Sequence, residues 1–148
     1  MSRLERYSNP RVIGPGVWWL IHALCGKAVK TGEKEDFIMA YLLIKFIRDN
    51  FPCKNCREHI QIFCEKNPIE NFKYGEEKEY DSKGLFHWSY LLHSNANSYT
   101  GKENEDYDDV LQYFLEDNVC QDCGEDEILF KKEEILKGVF QMLQGKFD

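Results

Sequence analysis

Apolar residues recur every three or four positions along much of this chain, with polar residues between them. The strongest pattern covers 33–51, where acidic residues fill the first turn and Phe37, Tyr41 and Ile44 form one stripe, which predicts a helix. Pro52 ends this helix because proline lacks an N–H and crowds the preceding turn. Similar patterns predict further helices after Gly14-Pro15-Gly16, from Cys53, and over 82–99, 106–119 and 126–143.

The pattern also predicts the fold class and the organisation of the chain. No stretch alternates between apolar and polar residues with period two, so we expect an all-α fold, a four- to five-helix bundle with an additional C-terminal helix. Residues 1–13 are polar and basic and predict a loose lead-in segment. The bundle is expected over 14–119, and a C-x-x-C turn followed by an amphipathic helix over 120–148.

Composition and charge narrow the function classes. The hydrophobic fraction of 43% predicts a packed globule, and a net charge of -7 disfavours nucleic acid or an anionic membrane as the main partner. The N-terminal stretch lacks the basic start, apolar run and small-residue cleavage site of a secretory signal. The apolar run that includes 40–44 is too short to span a bilayer, so no membrane insertion is expected.

The cysteines carry the candidate chemistry. Four of the six fall in two C-x-x-C pairs, Cys53/Cys56 and Cys120/Cys123. Cys53 follows Pro52 at a predicted helix start with cationic residues nearby, and both features lower a thiol pKa. Structural disulfides usually close longer loops, where the loss of chain entropy is larger, so the first pair suits a redox switch better than a structural crosslink.

Spacing alone leaves alternatives open. Two C-x-x-C pairs could form a Cys₄ zinc site, but the 63 residues of 57–119 separate them, far more than the roughly 15–20 of a compact zinc module. A thioredoxin-like protein needs a βαβ pattern, which is missing. A redox dithiol therefore ranks first, a zinc site second and unrelated buried cysteines third. For Trp18 and His22, four residues apart, spacing alone favours a core tryptophan beside a hydrogen-bonded histidine.

Three separated segments are similar to the motifs of a known family. They are Gly14-x-x-x-Trp18-x-x-x-His22, Phe51-Pro52-Cys53-x-x-Cys56-Arg57, and Trp88-x-x-x-x-His93-Ser94-Asn95-Ala96-Asn97 followed by Gly101-Lys102. The corresponding motifs are G-x-x-x-W-x-x-L-H, aromatic-P-C-x-x-C-R, and W-x-x-x-x-H-N-x-V-N ending in L-G-K-P. In their order and internal spacing the segments resemble the Erv/ALR family of FAD-dependent sulfhydryl oxidases, over about residues 14–119.

The resemblance implies a helical bundle whose open end holds FAD, usually as a homodimer. It implies an enzyme that forms disulfide bonds in substrate proteins, passing electrons from dithiols through Cys53/Cys56 to FAD and then to O₂, which gives H₂O₂. Cys56 would lie against the flavin, and Cys53 would meet the substrate thiols. Lys102 would meet the pyrophosphate, and no metal is implied. The expected cofactor-binding residues are Gly14, Trp18, His22, Cys56, Trp88, His93, Asn97, Lys102, Tyr113 and Phe114.

The chain also departs from the family pattern. Ser94 and Ala96 replace an Asn and a Val, and Glu103 replaces a Pro. Tyr90 stands where the family has the first cysteine of a structural disulfide, so that bridge is expected to be absent.

The remaining cysteines need separate interpretations. Cys120/Cys123 is either a second redox pair that shuttles electrons to the first pair, as flexible-segment cysteines do in this family, or a local structural disulfide. Cys25 and Cys64 are expected to be small buried hydrophobic residues. The compact extent, without a targeting extension, resembles family members of large cytoplasmic DNA viruses and predicts the host cytoplasm or the virion. The mitochondrial intermembrane space is the competing location.

Overall fold

The computed structural model describes residues 2–72 and 84–116, together with residues 137 and 141. The chain divides into two compact units, 1–116 and 117–148. The described part of the first unit contains five α-helices and no β-strand, which confirms the all-α prediction. They are α1 Pro10–Thr31, α2 Lys34–Asn50, α3 Lys54–Lys66, α4 Leu85–Thr100 and α5 Tyr107–Leu115. Two short 3₁₀ turns cover Glu5–Ser8 and Ile69–Asn71.

The first helix begins earlier than the sequence pattern predicted. The Asn9 side chain accepts a hydrogen bond from the Arg11 backbone N–H at 2.9 Å, and Pro10 occupies the first helical position, which suits its fixed φ. Pro15 lies inside α1, in its second turn, where it removes one backbone hydrogen bond and the helix continues through it. The prediction of a loose segment through residue 13 was therefore wrong: the cap at Asn9 starts the helix before the Gly-Pro-Gly segment.

The central helix of the first unit is α1, which packs against α2, α4 and α5. By length and composition α1 could cross a membrane, but only by that test, which the core helices of soluble bundles also pass. Of the most apolar stretch of 18 residues within α1, 33% is buried inside the fold. The buried residues of α1 are Ile21, His22, Cys25, Gly26, Ala28 and Val29.

The junction between α2 and α3 follows the prediction. Helix α2 ends at Asn50, and Pro52 separates it from α3, whose N-cap is Cys53. The fourth predicted helix is observed as Leu85–Thr100, and Gly101 ends it in the left-handed conformation with φ 71°. Helix α5 begins at its cap Asp106, as expected, and ends at Leu115 instead of 119.

Contacts between side chains define how the helices run past one another. Residue numbers rise along α1 and fall along α4 in the pairs Trp18–His93, His22–Ser89 and Gly26–Phe86. Helices α3 and α4 show the same relation in the pairs His59–Tyr99 and Asn67–Trp88. Helix α4 is thus antiparallel to both α1 and α3 and lies against each of them.

The second unit covers residues 117–148. Lys137 and Gln141 are its described residues, and both are helical and exposed. The pair Cys120/Cys123 and most of the predicted C-terminal helix lie outside the described residues. The proposed roles of both stay predictions.

Candidate functional site

The first C-x-x-C pair forms a disulfide at the start of α3. Cys53 and Cys56 are bonded, with their Cα atoms 5.2 Å apart. Cys53 is the N-cap residue, and its Sγ accepts the Cys56 backbone N–H at 3.3 Å. Arg57 donates from Nη1 to the Phe51 carbonyl at 2.5 Å and so ties the segment before the pair to the helix after it. Both cysteines are partly buried.

This placement suits thiol chemistry. The N–H groups in the first turn of a helix have no intrahelical partners, and they stabilise a thiolate that forms there. The disulfide spans only three positions, so it constrains little chain entropy and can open without loosening the fold. In the described part of the chain no three His, Cys, Asp or Glu residues group as a metal site. The Cys₄ zinc alternative also requires Cys120 and Cys123, which lie outside that part.

Three of the predicted cofactor residues come together between α1 and α4. The rings of Trp18 and His93 stack with centroids 4.1 Å apart and planes 6° apart. His22 lies 5.1 Å from His93 between ring centroids, on the side toward the core. Phe114 of α5 packs against His22 with centroids 5.4 Å apart, so a fourth predicted residue joins this aromatic cluster.

The two histidines belong to one hydrogen-bonded chain. His22 Nε2 lies 2.9 Å from His93 Nδ1, and His22 Nδ1 lies 2.9 Å from Ser89 Oγ. The Ser89 hydroxyl donates to the Phe86 carbonyl at 2.6 Å. Burial, with His93 nearby, lowers the pKa of His22 to about 3. Burial, with the Lys102 ammonium nearby, lowers the pKa of His93 to about 4, so both imidazoles are neutral at physiological pH.

The end of the bundle beyond the Trp18–His93 stack carries two further predicted cofactor residues, Gly14 and Asn97. Gly14 lies four residues before Trp18 and Asn97 four residues after His93, so the antiparallel register places them opposite each other, one turn further out. A Cβ on Gly14 would meet no heavy atom within 4 Å. The Asn97 side chain donates to Asn104 Oδ1 at 3.0 Å.

The residue set at this end fits a dinucleotide. Lys102, exposed just after the α4 C-cap, supplies a cation for phosphate groups. The stacked Trp18 and His93 rings offer an aromatic surface for a flat heterocycle. No atom crowds the Gly14 position, so nothing there hinders a bound dinucleotide.

Helix α3 brings the dithiol to the same end of α4. His59, three residues after Cys56, stacks on Tyr99 with centroids 3.5 Å apart. Since α3 and α4 are antiparallel, Cys56 lies opposite the C-terminal end of α4, where Lys102 follows. The sequence interpretation missed His59, Tyr99 and Ser89. Their signal was helical spacing: His59 shares a face with Cys56, and Ser89 shares one with His93.

Two predicted cofactor residues lie elsewhere. Trp88 is fully buried; its indole N–H donates to the Asn67 carbonyl at 2.8 Å, and its ring packs edge-on against Phe63. These contacts are those of a core residue on the α3 side of α4, far along the helix from its C-terminal end. Tyr113 is 50% exposed, and its ring packs against Phe114 at 5.0 Å between centroids. Cofactor contact by either residue stays a prediction.

Tyr90, in place of the expected disulfide cysteine, makes noncovalent contacts. Its hydroxyl donates to the Glu105 carbonyl at 2.7 Å, and its ring packs edge-on against Tyr107 at 5.1 Å between centroids. These contacts join α4 to the start of α5.

The two cysteines between the motifs are free thiols. Cys25 is fully buried, and burial raises its pKa. Cys64 is partly buried, and burial raises its pKa to about 11. Both thiols are protonated at physiological pH, which makes them poor nucleophiles.

Comparison with known proteins identifies the family. The family model of the Erv1/Alr family matches residues 15–115. No curated protein and no solved structure matches the chain at a significant level. The matched span contains the disulfide-bonded Cys53/Cys56 pair and the whole aromatic cluster, and it covers more than half of the chain. This protein therefore belongs to the Erv1/Alr family, a family of sulfhydryl oxidases.

Proposed function

We propose that the protein is an FAD-dependent thiol oxidase that forms disulfide bonds in substrate proteins and transfers the electrons to O₂. The observation that carries this proposal is the Cys53–Cys56 disulfide at the N-terminus of α3. Oxidation of thiols by this pair needs an electron acceptor. The residues at the end of α1 and α4 beyond the Trp18–His93 stack fit FAD in that role.

The exchange with substrate proceeds in two displacements. A substrate thiolate attacks Cys53 Sγ, the Cys53–Cys56 bond breaks, and Cys56 leaves as a thiolate. A second substrate thiolate then attacks the substrate sulfur of the mixed disulfide and releases Cys53. The substrate is oxidised by two electrons and loses two protons, while the pair is reduced to a dithiol. The free N–H groups at the start of α3 stabilise each departing thiolate.

Bound FAD would accept the two electrons of the reduced pair and pass them to O₂, which leaves as H₂O₂. Trp18 and His93 would hold a flavin or adenine ring by stacking, and Lys102 would neutralise the pyrophosphate. Gly14 leaves room for the cofactor, and Asn97 is placed to orient it. Cys56 lies one turn before His59 on the face of α3 that meets the C-terminal end of α4, which supports its role as the inner cysteine and Cys53 as the outer one.

The proposal includes a homodimer. Apolar side chains are exposed at helical spacing on two neighbouring helices: Val12 and Trp19 on α1, and Ile38, Leu42 and Phe46 on α2. Burial of these stripes against a second copy would remove them from water. The proposed location, the host cytoplasm or virion of a large DNA virus, rests on the sequence resemblance alone.

The first experiment is the visible spectrum of the purified protein together with oxygen uptake. We expect flavin absorbance at about 450 nm and oxygen consumption with dithiothreitol. A colourless protein that releases zinc to a chelator would contradict the proposal. A yellow protein that consumes no oxygen would indicate an inactive FAD-binding scaffold.

Single cysteine variants test the inner and outer roles. Cys56→Ser should abolish turnover and remove any long-wavelength band of a thiolate beside flavin. Cys53→Ser should also abolish turnover but leave Cys56 free to produce that band. Cys64→Ser is the matched control, because that thiol is protonated and outside the pair, and it should retain activity. Identical spectra for the two pair variants would refute the assignment.

The second C-x-x-C pair is tested with two substrates. If Cys120 and Cys123 shuttle electrons, their double replacement by Ser should slow oxidation of a reduced protein more than oxidation of dithiothreitol. A small dithiol can reach the first pair without a shuttle. Equal rates with both substrates, relative to the unsubstituted chain, would favour the local structural disulfide.

A further inference from the structure

Ser89 lies at the inner end of the histidine chain. It is fully buried on α4, one helical turn before His93. Its hydroxyl donates to the Phe86 carbonyl at 2.6 Å, and its Oγ lies 2.9 Å from His22 Nδ1. The buried Cys25 thiol is a third hydrogen-bonding neighbour of this hydroxyl. The hydroxyl has a single proton, so it can donate to only one of the three.

The Phe86 carbonyl decides the direction of every bond in this chain. A carbonyl oxygen only accepts, so the Ser89 proton must point to it; otherwise two acceptor oxygens would face each other at 2.6 Å. His22 Nδ1 must then carry the proton and donate to Ser89. A neutral His22 therefore has a bare Nε2, which accepts from His93 Nδ1–H. His93 is left with a bare Nε2.

We propose that Ser89 is a positioning residue for the cofactor: through His22 it holds His93 in the tautomer whose Nε2 is a hydrogen-bond acceptor. The inference rests on the proposed FAD site. It implies that the cofactor presents an N–H or O–H group, such as an exocyclic amino or a ribose hydroxyl, to the edge of the His93 ring. The stack with Trp18 covers one face of that ring, and hydrogen bonds form at its edge.

The surroundings keep this arrangement intact at physiological pH. Protonation of His22 would place a donor on its Nε2 opposite the His93 Nδ1–H and break the chain, and protonation of His93 would turn its outward Nε2 from an acceptor into a donor. Burial lowers the pKa of His22 and of His93 far enough to prevent this, and the Lys102 ammonium adds to the effect at His93. Lys102 thus has a second effect besides its attraction for phosphate, because it helps to keep His93 a neutral acceptor.

The direct test is the tautomer of each histidine in the full-length chain. Two-bond ¹⁵N–¹H correlation spectra of ¹⁵N-histidine-labelled protein at neutral pH, with and without FAD, distinguish a protonated from a bare ring nitrogen. We expect His22 and His93 both protonated on Nδ1 and bare on Nε2 in each state. A His93 protonated on Nε2, with or without FAD, would overturn the proposal. This measurement needs no variant, so it does not depend on any substitution being tolerated.

A pair of matched variants then tests the role of Ser89. Ser89→Ala removes the fixed acceptor, so both histidines should populate mixed tautomers, and FAD affinity should fall by about two- to tenfold as the competent fraction drops. Ser98→Ala is the control: Ser98 lies on the same helix and donates to the Asn95 carbonyl at the same 2.6 Å, but it is exposed and contacts neither histidine. It should leave tautomers and affinity unchanged. Unaltered tautomers in Ser89→Ala would refute the proposal.

The outcomes separate this inference from the proposed function. If the unsubstituted chain binds no FAD, the proposed function fails, and the cofactor part of this inference fails with it. If FAD binds and thiols are oxidised but His93 is protonated on Nε2, only the inference fails. A mixed-tautomer Ser89→Ala protein that binds FAD as tightly as Ser98→Ala would show that the tautomer does not matter for binding, which also overturns it.

Discussion

The same substitution at two tryptophans should have opposite consequences. Trp88 is fully buried between α4 and α3, whereas Trp18 is partly exposed and stacks on His93 at the end of the bundle where we place FAD. Trp88→Phe should lower stability and leave FAD affinity nearly unchanged. Trp18→Phe should lower FAD affinity and cost little stability.

The magnitudes follow from the contacts. Trp88→Phe leaves a cavity of about 40 Å³, which costs about 1 kcal/mol. It also removes the donor to the Asn67 carbonyl, which costs about another 1 kcal/mol. The free energy of unfolding should fall by about 2 kcal/mol, equivalent to a shift of about 1–2 M in the urea midpoint. Trp18→Phe weakens a stack that contributes about 0.5–1.5 kcal/mol, so FAD affinity should fall about two- to tenfold.

The assays are urea unfolding of the FAD-free protein followed by circular dichroism, and FAD titration followed by quenching of flavin fluorescence. Protein concentration is held constant because a dimer would make stability concentration-dependent. If Trp88→Phe weakens FAD as much as Trp18→Phe while the urea midpoint stays unchanged, the assignment of Trp88 to the core is refuted. That result would instead support the cofactor contact that the sequence resemblance implied.

Three further predictions concern the contact between α4 and the start of α5, the two buried histidines and the proposed dimer face. Tyr90→Phe removes the bond to the Glu105 carbonyl but keeps the ring, so we expect a loss of about 1 kcal/mol in urea unfolding; no change would show that the bond contributes nothing. Both histidine pKa values lie below their ordinary 6.5, so the unfolded chain binds more protons and stability should fall as pH drops from about 6.5 to 5. His22 alone contributes up to about 1.4 kcal/mol per pH unit, and a flat unfolding profile would contradict neutral histidines. Phe46→Lys should place a charge in the proposed dimer face and yield monomers in sedimentation; an unchanged dimer would place the interface elsewhere.

Much of the fold followed from local pattern. Helical spacing of apolar residues predicted α2, α4 and α5, and the missing N–H of Pro52 predicted the end of one helix and the start of the next. The start of α1 was the error, since a Gly-Pro-Gly segment predicts a break more strongly than a single Asn cap predicts a helix. In the structure, the side-chain hydrogen bond of Asn9 and the fit of Pro10 at the first helical position start α1 before the Gly-Pro-Gly segment, and the helix continues through it.

The site was predictable in its residues more than in its arrangement. The C-x-x-C spacing indicated a redox pair, and the motifs indicated Trp18, His22 and His93. Nothing local to α1 or α4 shows that these two helices are antiparallel, which is the relation that stacks Trp18 on His93. Trp88 has a motif position like the others, yet its side chain points to the α3 side of α4 and into the core.

The sequence by itself determined the helical class, the placement of Cys53 at a helix start and the family, because each depends on residues close together in the chain. The tertiary structure alone decided which of two imidazole nitrogens carries the proton. That choice depends on a carbonyl of α4, a hydroxyl one turn later and a histidine of α1, and these meet only when the two helices pack. A hydrogen bond between helices forms only when its two atoms lie within about 3 Å of each other. The spacing of residues along the chain predicts the faces of a single helix, so it does not predict which atoms of two helices meet.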